Sequence, residues 1–210
     1  IHVLPSSVEI DKYDELYEKK ILRNELGMEN NKFYVLHTGS PYLGRGVERF
    51  VDICKASSDI FFIHIGGTLD QINRLASLAD QEKITNCLFL PHIEQEKIIK
   101  YQIGADLLFF IITEEWPTYW CCSPMKIPEY MASGTPILAS DIGSIKEMID
   151  EETSFLFKSD QNSLKDVLIK AKTNPELAKY IAVKAKLKVK KNFTWNLRSQ
   201  SLINFLNFTY

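Results

Sequence analysis

The chain has 210 residues, of which 45% are hydrophobic and 25% are charged, and its formal net charge is −2. This length supports one domain with a sizeable core and is too short for two full Rossmann-type domains. The near-neutral total gives no indication of nucleic-acid binding, although residues 165–198 carry ten basic side chains against two acidic ones. The four cysteines show no C-x-x-C spacing, which indicates reduced thiols rather than a zinc site or a disulfide framework.

Short apolar runs alternate with amphipathic stretches along most of the chain. Most of these runs are continuously apolar, which is typical of parallel strands covered on both faces. None of them is long enough to span a membrane, which takes roughly 18 or more apolar residues. The sequence predicts six strands, at residues 33–37, 60–65, 87–90, 106–110, 136–139 and 154–157.

Helical periodicity fills the gaps between these runs. Apolar residues recur at helical spacing over 47–54 and 72–79, and Thr68 with Gln71 predicts a capping box before the second helix. A second capping box is predicted at Ser144 and Glu147. Beyond residue 157 the pattern is helical to the end, with Pro175 opening one helix. The element order predicts an α/β, Rossmann-like open parallel sheet with helices on both faces and extra C-terminal helices.

Ligands bind beyond the carboxyl ends of the strands in such sheets, so the loops after the strands are the candidate sites. The first loop holds Gly39, Gly44 and Gly46, which permit close backbone approach to a ligand. Arg45 stands at the entrance of the following helix, where a cation opposes the helix dipole unless an anion is bound. A glycine-rich turn with a solvated arginine explains this loop equally well.

The next two loops give weaker indications. Gly66 and Gly67 precede Thr68, whose capping role already explains a tight turn. His92 and Ile93 follow the third strand, and a lone loop histidine is more typical of a surface position. Backbone contacts to a ligand remain open at both places.

Residues 121–134 form the most informative segment. A helix begins within it, either with Ser123 as N-cap and Pro124 as first residue, or near Pro128 after a loose first turn. Lys126 lies in that turn, again on the unfavourable side of the helix dipole unless an anion compensates. Glu129 shares its face, so the two either form an ion pair of about 0.2–0.5 kcal/mol or serve a ligand. In the second case the Glu129 carboxylate accepts two hydrogen bonds from a ribose diol.

These loops, in this order, resemble the retaining glycosyltransferases of family four, which have the GT-B fold. The similarity covers nearly the whole chain, and its most specific part is the block from Ser123 to Glu147, which resembles the family's "SPlKlfEYmAsGtPvvasdiggl.E". The weaker matches are the extended start at 3–11, the loop containing Thr38–Ser40 and Arg45–Gly46, the pair Gly66–Gly67, and residues 87–91 and 101–106.

The resemblance implies a donor-binding C-terminal domain over 1–210 that binds a nucleoside diphosphate sugar and transfers the sugar with retention. It implies no cofactor and no bound metal. Arg45 and Lys126 would neutralise the diphosphate, and Glu129 matches the second glutamate of the family's E-x7-E motif, on the ribose. No catalytic residue is assigned. The implied donor-binding residues are Gly39, Ser40, Arg45, Gly67, His92, Ile93, Cys121, Cys122, Ser123, Pro124, Met125, Lys126 and Glu129.

Two residues depart from the family pattern. Cys121 stands at the first glutamate of E-x7-E, which leaves the transferred sugar open. Ser40 stands where the family often has arginine, which weakens one phosphate contact. The aromatic stretch at 114–120 either lines the sugar pocket or packs as a loop.

The start at Ile1 predicts a fragment of a longer enzyme. In the family, an N-terminal domain binds the acceptor, so we expect helices 175–210 to pack toward it and this chain to be inactive alone. A hexosyltransferase of polysaccharide biosynthesis is implied, with a glycan or lipid-linked acceptor. It would be cytoplasmic, with Lys184–Lys191 contacting the inner face of the membrane. The alternatives are a non-catalytic Rossmann-like binding domain and another GT-B nucleotide-sugar enzyme, such as an epimerase.

Overall fold

A computed structural model describes residues 2–14, 18–158 and 160–209 of the chain. All six predicted strands are confirmed, each within one residue of its predicted bounds. The strands are β1 (Phe33–Thr38), β2 (Ile60–Ile65), β3 (Cys87–Leu90), β4 (Leu107–Phe110), β5 (Ile137–Ser140) and β6 (Phe155–Phe157).

The strands form one parallel sheet in the order β3-β2-β1-β4-β5-β6. Strands β1 and β4 are therefore neighbours at the centre, where Val35 pairs with Leu107. The order of connections reverses at this pair, and the carboxyl ends of two such strands are where open α/β sheets form their ligand-binding crevice. The predicted Rossmann-like fold is confirmed.

Helices cover both faces of the sheet, as predicted. One buried cluster includes residues of α2, α3 and α6, and the other includes residues of α4 and α5. The helices are α1 (Lys19–Glu25), α2 (Phe50–Ala56), α3 (Leu69–Gln81), α4 (Gln95–Gly104), α5 (Lys126–Ser133), α6 (Gln161–Thr173), α7 (Pro175–Asn192) and α8 (Trp195–Thr209). None of the helices in the described residues is long and apolar enough to cross a membrane.

The capping predictions have mixed outcomes. The box at Thr68 is confirmed, because the Gln71 N–H donates to Thr68 Oγ1 while the Thr68 N–H donates to Gln71 Oε1. The box at Ser144 is wrong, since the chain makes only a 3₁₀ turn over Ser144–Glu147. Ser144 Oγ instead donates to the Tyr119 carbonyl at 3.3 Å, so its side chain supports the preceding loop.

The start of α5 lies inside the predicted window, but Ser123 is not its cap. Met125 is the residue that precedes the helix, and no side chain caps the helix there. Ser123 is instead joined to the N-terminal segment: Ser6 N–H donates to Ser123 Oγ at 3.1 Å, and Ser6 Oγ donates to the Ser123 carbonyl at 2.6 Å. The helix ends at Gly134, as predicted, in the left-handed region with φ +72°.

The C-terminal helices follow β6 as predicted, and Pro175 opens α7. Helix α7 packs against α5 and α6 and buries its alanines. Before α8 the chain meets the N-terminal segment, where the Val8 N–H donates to the Phe193 carbonyl at 2.9 Å. Helix α8 exposes apolar side chains, including 54% of Ile203. Packing of 175–210 toward a further domain stays a prediction.

Candidate functional site

The turns after β1 and β2 pack against each other through glycines. Gly39, Gly66 and Gly67 all have positive φ, between +92° and +125°. A Cβ on Gly66 would lie 3.0 Å from the backbone of Gly39, and one on Gly67 would lie 2.6 Å from Pro41 Cδ. Only glycine fits both the conformation and the space, so these turns bring bare backbone to the central crevice.

Lys126, at the start of α5, reaches across the crevice to the end of β1. Its ammonium donates to the Thr38 carbonyl and lies 3.4 Å from His37 Nε2. A Cβ on Gly39 would lie 2.7 Å from Lys126 Nζ, so the first glycine of the loop makes room for this side chain. Burial and the nearby Arg45 lower the pKa of Lys126 to about 7, against the opposing effect of Glu129.

Arg45 comes from the other side of the crevice, on the loop between β1 and α2. Its guanidinium lies 5.5 Å from the ring centroid of Trp116. Arg45 Nε is buried and has no hydrogen-bond partner among the described residues. Burial lowers the pKa of Arg45. Because a buried, unpaired N–H of a cation is costly, this donor fits an anionic ligand.

The ion pair between Lys126 and Glu129, one of the two alternatives that their spacing left open, does not form. The Lys126 ammonium contacts Thr38 and His37 instead, and in the described residues no carboxylate lies within 4.0 Å of Lys126 or Arg45. The Glu129 carboxyl is half-buried, and burial raises its pKa while Lys126 and Gln102 oppose that rise. Two cations and one acid thus share the crevice without neutralising each other by direct contact.

Tyr130 fixes α5 to the sheet behind these groups. Its hydroxyl accepts the Thr38 N–H at 2.9 Å and lies 3.0 Å from Thr38 Oγ1. The side chain is fully buried, so the position of α5 relative to β1 is closely defined. The sequence did not predict that this hydroxyl belongs to the site. The one feature that could have indicated it is the position of Tyr130 directly after Glu129.

Two buried histidines at the site were also not predicted from the sequence. His37 and His64 are the penultimate residues of β1 and β2, where they pair in register. Both are fully buried, and their Nδ1 atoms lie 2.9 Å apart. A polar ring at the carboxyl end of an otherwise apolar strand is the signal that could have revealed them.

The other predicted donor-binding residues lie at different distances from Arg45 and Lys126. Ser40 and Pro124 are half-buried in the two loops, whereas Cys121 and Met125 are exposed. Cys122 Sγ lies 3.1 Å from Ser144 Oγ. His92 is exposed beyond β3 at the edge of the sheet, and Ile93 packs on the core beside it. The structure thus joins Gly39, Arg45, Lys126 and Glu129, and leaves His92 two strands away from β1.

The aromatic loop after β4 is partly packed and partly open. Trp116 stacks with Tyr42 at 5.7 Å between centroids and is half-buried, whereas Trp120 is 78% exposed. A cavity of about 480 Å³ lies between this loop, the glycine-rich loop and α3. Its lining residues are Pro41, Tyr42, Leu43, Asp70, Gln71, Arg74 and Trp116. Within the described residues, no three His, Cys, Asp or Glu side chains form a cluster that could hold a metal ion.

Comparison with known proteins identifies the fold and the family. The model of the family "Glycosyl transferases group 1" matches residues 18–188. The alpha-galactosylglucosyldiacylglycerol synthase of Streptococcus pneumoniae is 23% identical over 190 residues, which are 87% of this chain and 48% of that protein. This chain therefore spans about half the length of that curated relative.

Solved structures show the same architecture at low identity. Sucrose-phosphate synthase from Thermosynechococcus elongatus superposes with a TM-score of 0.84 at 19% identity, over 99% of this chain and 52% of that one. Anabaena HepE in complex with UDP and glucose gives a TM-score of 0.81 at 18% identity, over 96% of this chain and 55% of that one. Together with the glycine-built crevice, these matches assign the chain to a C-terminal domain of GT-B fold. The chain belongs to the group 1 glycosyl transferases.

Proposed function

We propose that this chain is the donor-binding domain of a retaining, metal-independent glycosyltransferase and that its crevice binds the diphosphate of a nucleoside diphosphate sugar. The observation that carries the proposal is the pair Arg45 and Lys126, two partly buried cations without a carboxylate partner in the described residues. They face each other across the carboxyl ends of β1 and β4, where open α/β sheets bind ligands. The Anabaena relative, whose structure contains UDP and glucose, supports the choice of a nucleotide sugar.

The roles of the crevice residues follow from what each can donate or accept. Arg45 and Lys126 stabilise the negative charge that develops on the diphosphate as it departs. Glu129, which has no ion-pair partner among the described residues, accepts the two ribose hydroxyls. The backbone N–H groups of Ser40 and Gly67, and those of Cys122, Ser123, Met125 and Lys126 around the start of α5, contact phosphate or sugar. The Gly39 N–H donates to the Ile65 carbonyl at 2.8 Å, so Gly39 contributes space at the site rather than a free donor.

We further propose that this chain alone transfers no sugar, because acceptor binding and closure belong to the absent part of the enzyme. The name of the pneumococcal relative refers to a glycolipid, which favours a lipid-linked acceptor over a free glycan. A lipid-linked acceptor would place the enzyme at an anionic membrane surface on the cytoplasmic side.

The exposed face of α7 is the candidate contact with that surface. Tyr180, Val183 and Leu187 are 51–61% exposed and fall on one side of the helix. Lys184 lies among them, over the Tyr180 ring at 5.4 Å, and Lys191 follows one turn after Leu187. An exposed apolar stripe with interspersed lysines is typical of helices that lie in a membrane interface. We expect sedimentation with phosphatidylglycerol vesicles that is lost in Leu187→Asp; equal binding to phosphatidylcholine vesicles would contradict a contact with anionic lipid.

The transfer reaction of the full-length enzyme tests the main proposal. UDP-glucose and GDP-mannose are incubated with the enzyme and a diacylglycerol-linked acceptor, and NMR determines the anomeric configuration of the product. Retention is expected without added metal and with EDTA present, and Glu129→Gln is expected to raise KM for the donor. An inverted product would contradict the proposal, and conversion of the free nucleotide sugar without acceptor would favour an epimerase.

A further inference from the structure

A short relay of buried hydrogen bonds leads away from Lys126 into the sheet. His37 Nε2 lies 3.4 Å from the Lys126 ammonium, and His37 Nδ1 lies 2.9 Å from His64 Nδ1. His64 Nε2 lies 2.9 Å from the Gly66 carbonyl oxygen, in the turn that packs against Gly39. The two rings stack at 5.0 Å, and both are fully buried. The relay thus connects the crevice lysine to the glycine turn after β2.

The direction of every bond in this relay follows from its last acceptor. The Gly66 carbonyl can only accept, so His64 carries its proton on Nε2 and presents a lone pair at Nδ1. His37 must then carry its proton on Nδ1, where it donates to His64. Its Nε2 is left bare and can only accept from Lys126. Burial and the neighbouring cations lower the pKa of His64 to about 4 and that of His37 well below its ordinary value, so both rings are neutral at physiological pH.

We infer that His37 and His64 are positioning residues that hold the ammonium of Lys126 in place for the diphosphate. This inference rests on the proposed function of Lys126. The ammonium has three N–H groups, of which the Thr38 carbonyl and His37 Nε2 accept two. One N–H is left for the anion, and its direction is set by the other two.

The charged groups around Lys126 do not supply the same restraint. Arg45 on the glycine-rich loop repels the ammonium, and Glu129 on α5 attracts it without direct contact. From β4, Phe110 offers its ring face to the ammonium at 5.9 Å, which adds attraction without a fixed direction. Only Thr38 and His37 bind the ammonium through oriented acceptors among the described residues.

A simple packing role for the two histidines predicts something different. Neighbouring positions of β1 and β2 are filled by leucine and isoleucine, which pack without the cost of burying two imidazoles. If the rings only filled space, replacing them would change stability and leave the ionisation of Lys126 and nucleotide binding unchanged. The positioning role predicts a change in both.

The tautomers can be measured without any ligand. In the ¹⁵N-labelled chain, the ring nitrogen shifts should show the proton on Nδ1 in His37 and on Nε2 in His64, with neither ring titrating between pH 5.5 and 8. The proton on Nε2 of His37, or titration of either ring in that range, would overturn the relay.

Substitution then tests whether the relay acts on Lys126. In His37→Phe we expect the pKa of Lys126, followed by its ¹³Cε shift, to fall further, because the cationic form loses an acceptor. UDP affinity should fall about fivefold to tenfold, which is the net contribution of about one ordinary hydrogen bond. His37→Gln, whose side-chain oxygen can accept from Lys126, should recover part of both. Phe109→Leu is the matched control, since Phe109 packs on the His37 ring at 6.3 Å and its loss lowers stability alone.

The outcomes separate the inference from the proposed function. If His37→Phe leaves the Lys126 titration unchanged, the positioning role is wrong whether or not UDP binds. If the wild-type chain binds no UDP, GDP or ADP while the Lys126 titration shifts as expected, the relay stands as a restraint on Lys126 and the diphosphate role of Lys126 fails.

Discussion

Two basic regions of this molecule look alike in the sequence and differ in the structure. The lysines of α7 are numerous, but Lys188 pairs with Asp150 and Lys190 pairs with Asp14, each at 2.7 Å. Lys186 donates to the Tyr13 carbonyl at 3.1 Å. In the crevice there are only two cations, Arg45 and Lys126, and neither has a carboxylate partner in the described residues. Anion binding therefore depends on which charges remain unpaired rather than on how many there are.

The largest effect that follows from this comparison is the loss of Lys126. Lys126→Met keeps the apolar stem and removes the ammonium, so we expect nucleoside diphosphate affinity to fall about 10-fold to 100-fold, as for a charge-assisted hydrogen bond. Titration calorimetry with UDP measures this change. Lys188→Met removes an equal charge from α7 and should leave affinity within twofold; similar losses in both variants would mean that only net charge matters.

The second effect is a pH dependence of opposite sign for binding and for stability. The pKa of Lys126 is lowered to about 7 in the empty site, so above pH 7 a bound diphosphate must recover a proton and affinity falls, by up to about tenfold per pH unit. Unfolding returns the pKa to its ordinary value of 10.5, so the unfolded chain binds more protons between pH 7 and 10.5. Lys126 therefore makes the empty protein more stable as pH rises through that window.

Calorimetry and urea unfolding at pH 7, 8 and 9 check both trends. Lys126→Met is the control, since it should lose the pH dependence of binding above pH 7. A wild-type affinity that stays constant from pH 7 to 9 would contradict the lowered pKa.

The third effect concerns the glycine that makes room for Lys126. Gly39→Ala is strained at φ +105° and places Cβ 2.7 Å from Lys126 Nζ, so we expect a loss of about 1–3 kcal/mol in stability together with weaker nucleotide binding. Gly134→Ala is the matched control, because its φ is +72° and its nearest contact is the flexible Lys186 side chain at 3.5 Å. The control should lose stability only. Urea unfolding and calorimetry on both variants separate strain from displacement of the lysine.

The smallest effect is expected on α7. Lys190→Met breaks a pair whose partners are both more than 40% exposed, so the free energy of unfolding should change by less than about 1 kcal/mol. Urea unfolding at low and high salt measures it. A larger loss of unfolding free energy, abolished by high salt, would show that the ion pairs of α7 stabilise the fold.

The sequence was a better guide to the sheet than to the site. Continuous apolar runs specify buried parallel strands, and all six appear where the runs are. Ser144 and Ser123 misled because a serine before a helical pattern looks the same whether its hydroxyl caps the helix or bonds to a distant segment. The Ser144 hydroxyl donates to the Tyr119 carbonyl, and the Ser123 hydroxyl accepts from the Ser6 N–H. The choice is made by tertiary contacts, which local spacing does not contain.

The residues that determine the chemistry of the crevice could be predicted only in part from the sequence. Arg45 and Lys126 were recognisable because each places a positive charge at a helix start, where it opposes the helix dipole. Glu129 was recognisable because it shares a helix face with Lys126. His37 and His64 were not, since their signal is a polar ring in an apolar run, and that signal specifies neither a partner nor a role. Their role depends on two strands lying in register, and that pairing follows from the folded sheet.

Thermal unfolding of this chain with UDP, GDP, ADP and NAD, alongside Lys126→Met, tests the central claim most directly. A ligand at 100 times its dissociation constant adds about 2.7 kcal/mol of stability, which for a domain of this size raises Tm by roughly 5–10 °C. We predict this rise for one nucleoside diphosphate, none for NAD, and a rise reduced by about half or more in Lys126→Met at the same concentration. A rise that is equal in wild type and Lys126→Met, or a rise with NAD alone, would contradict the assignment of the crevice as a diphosphate site.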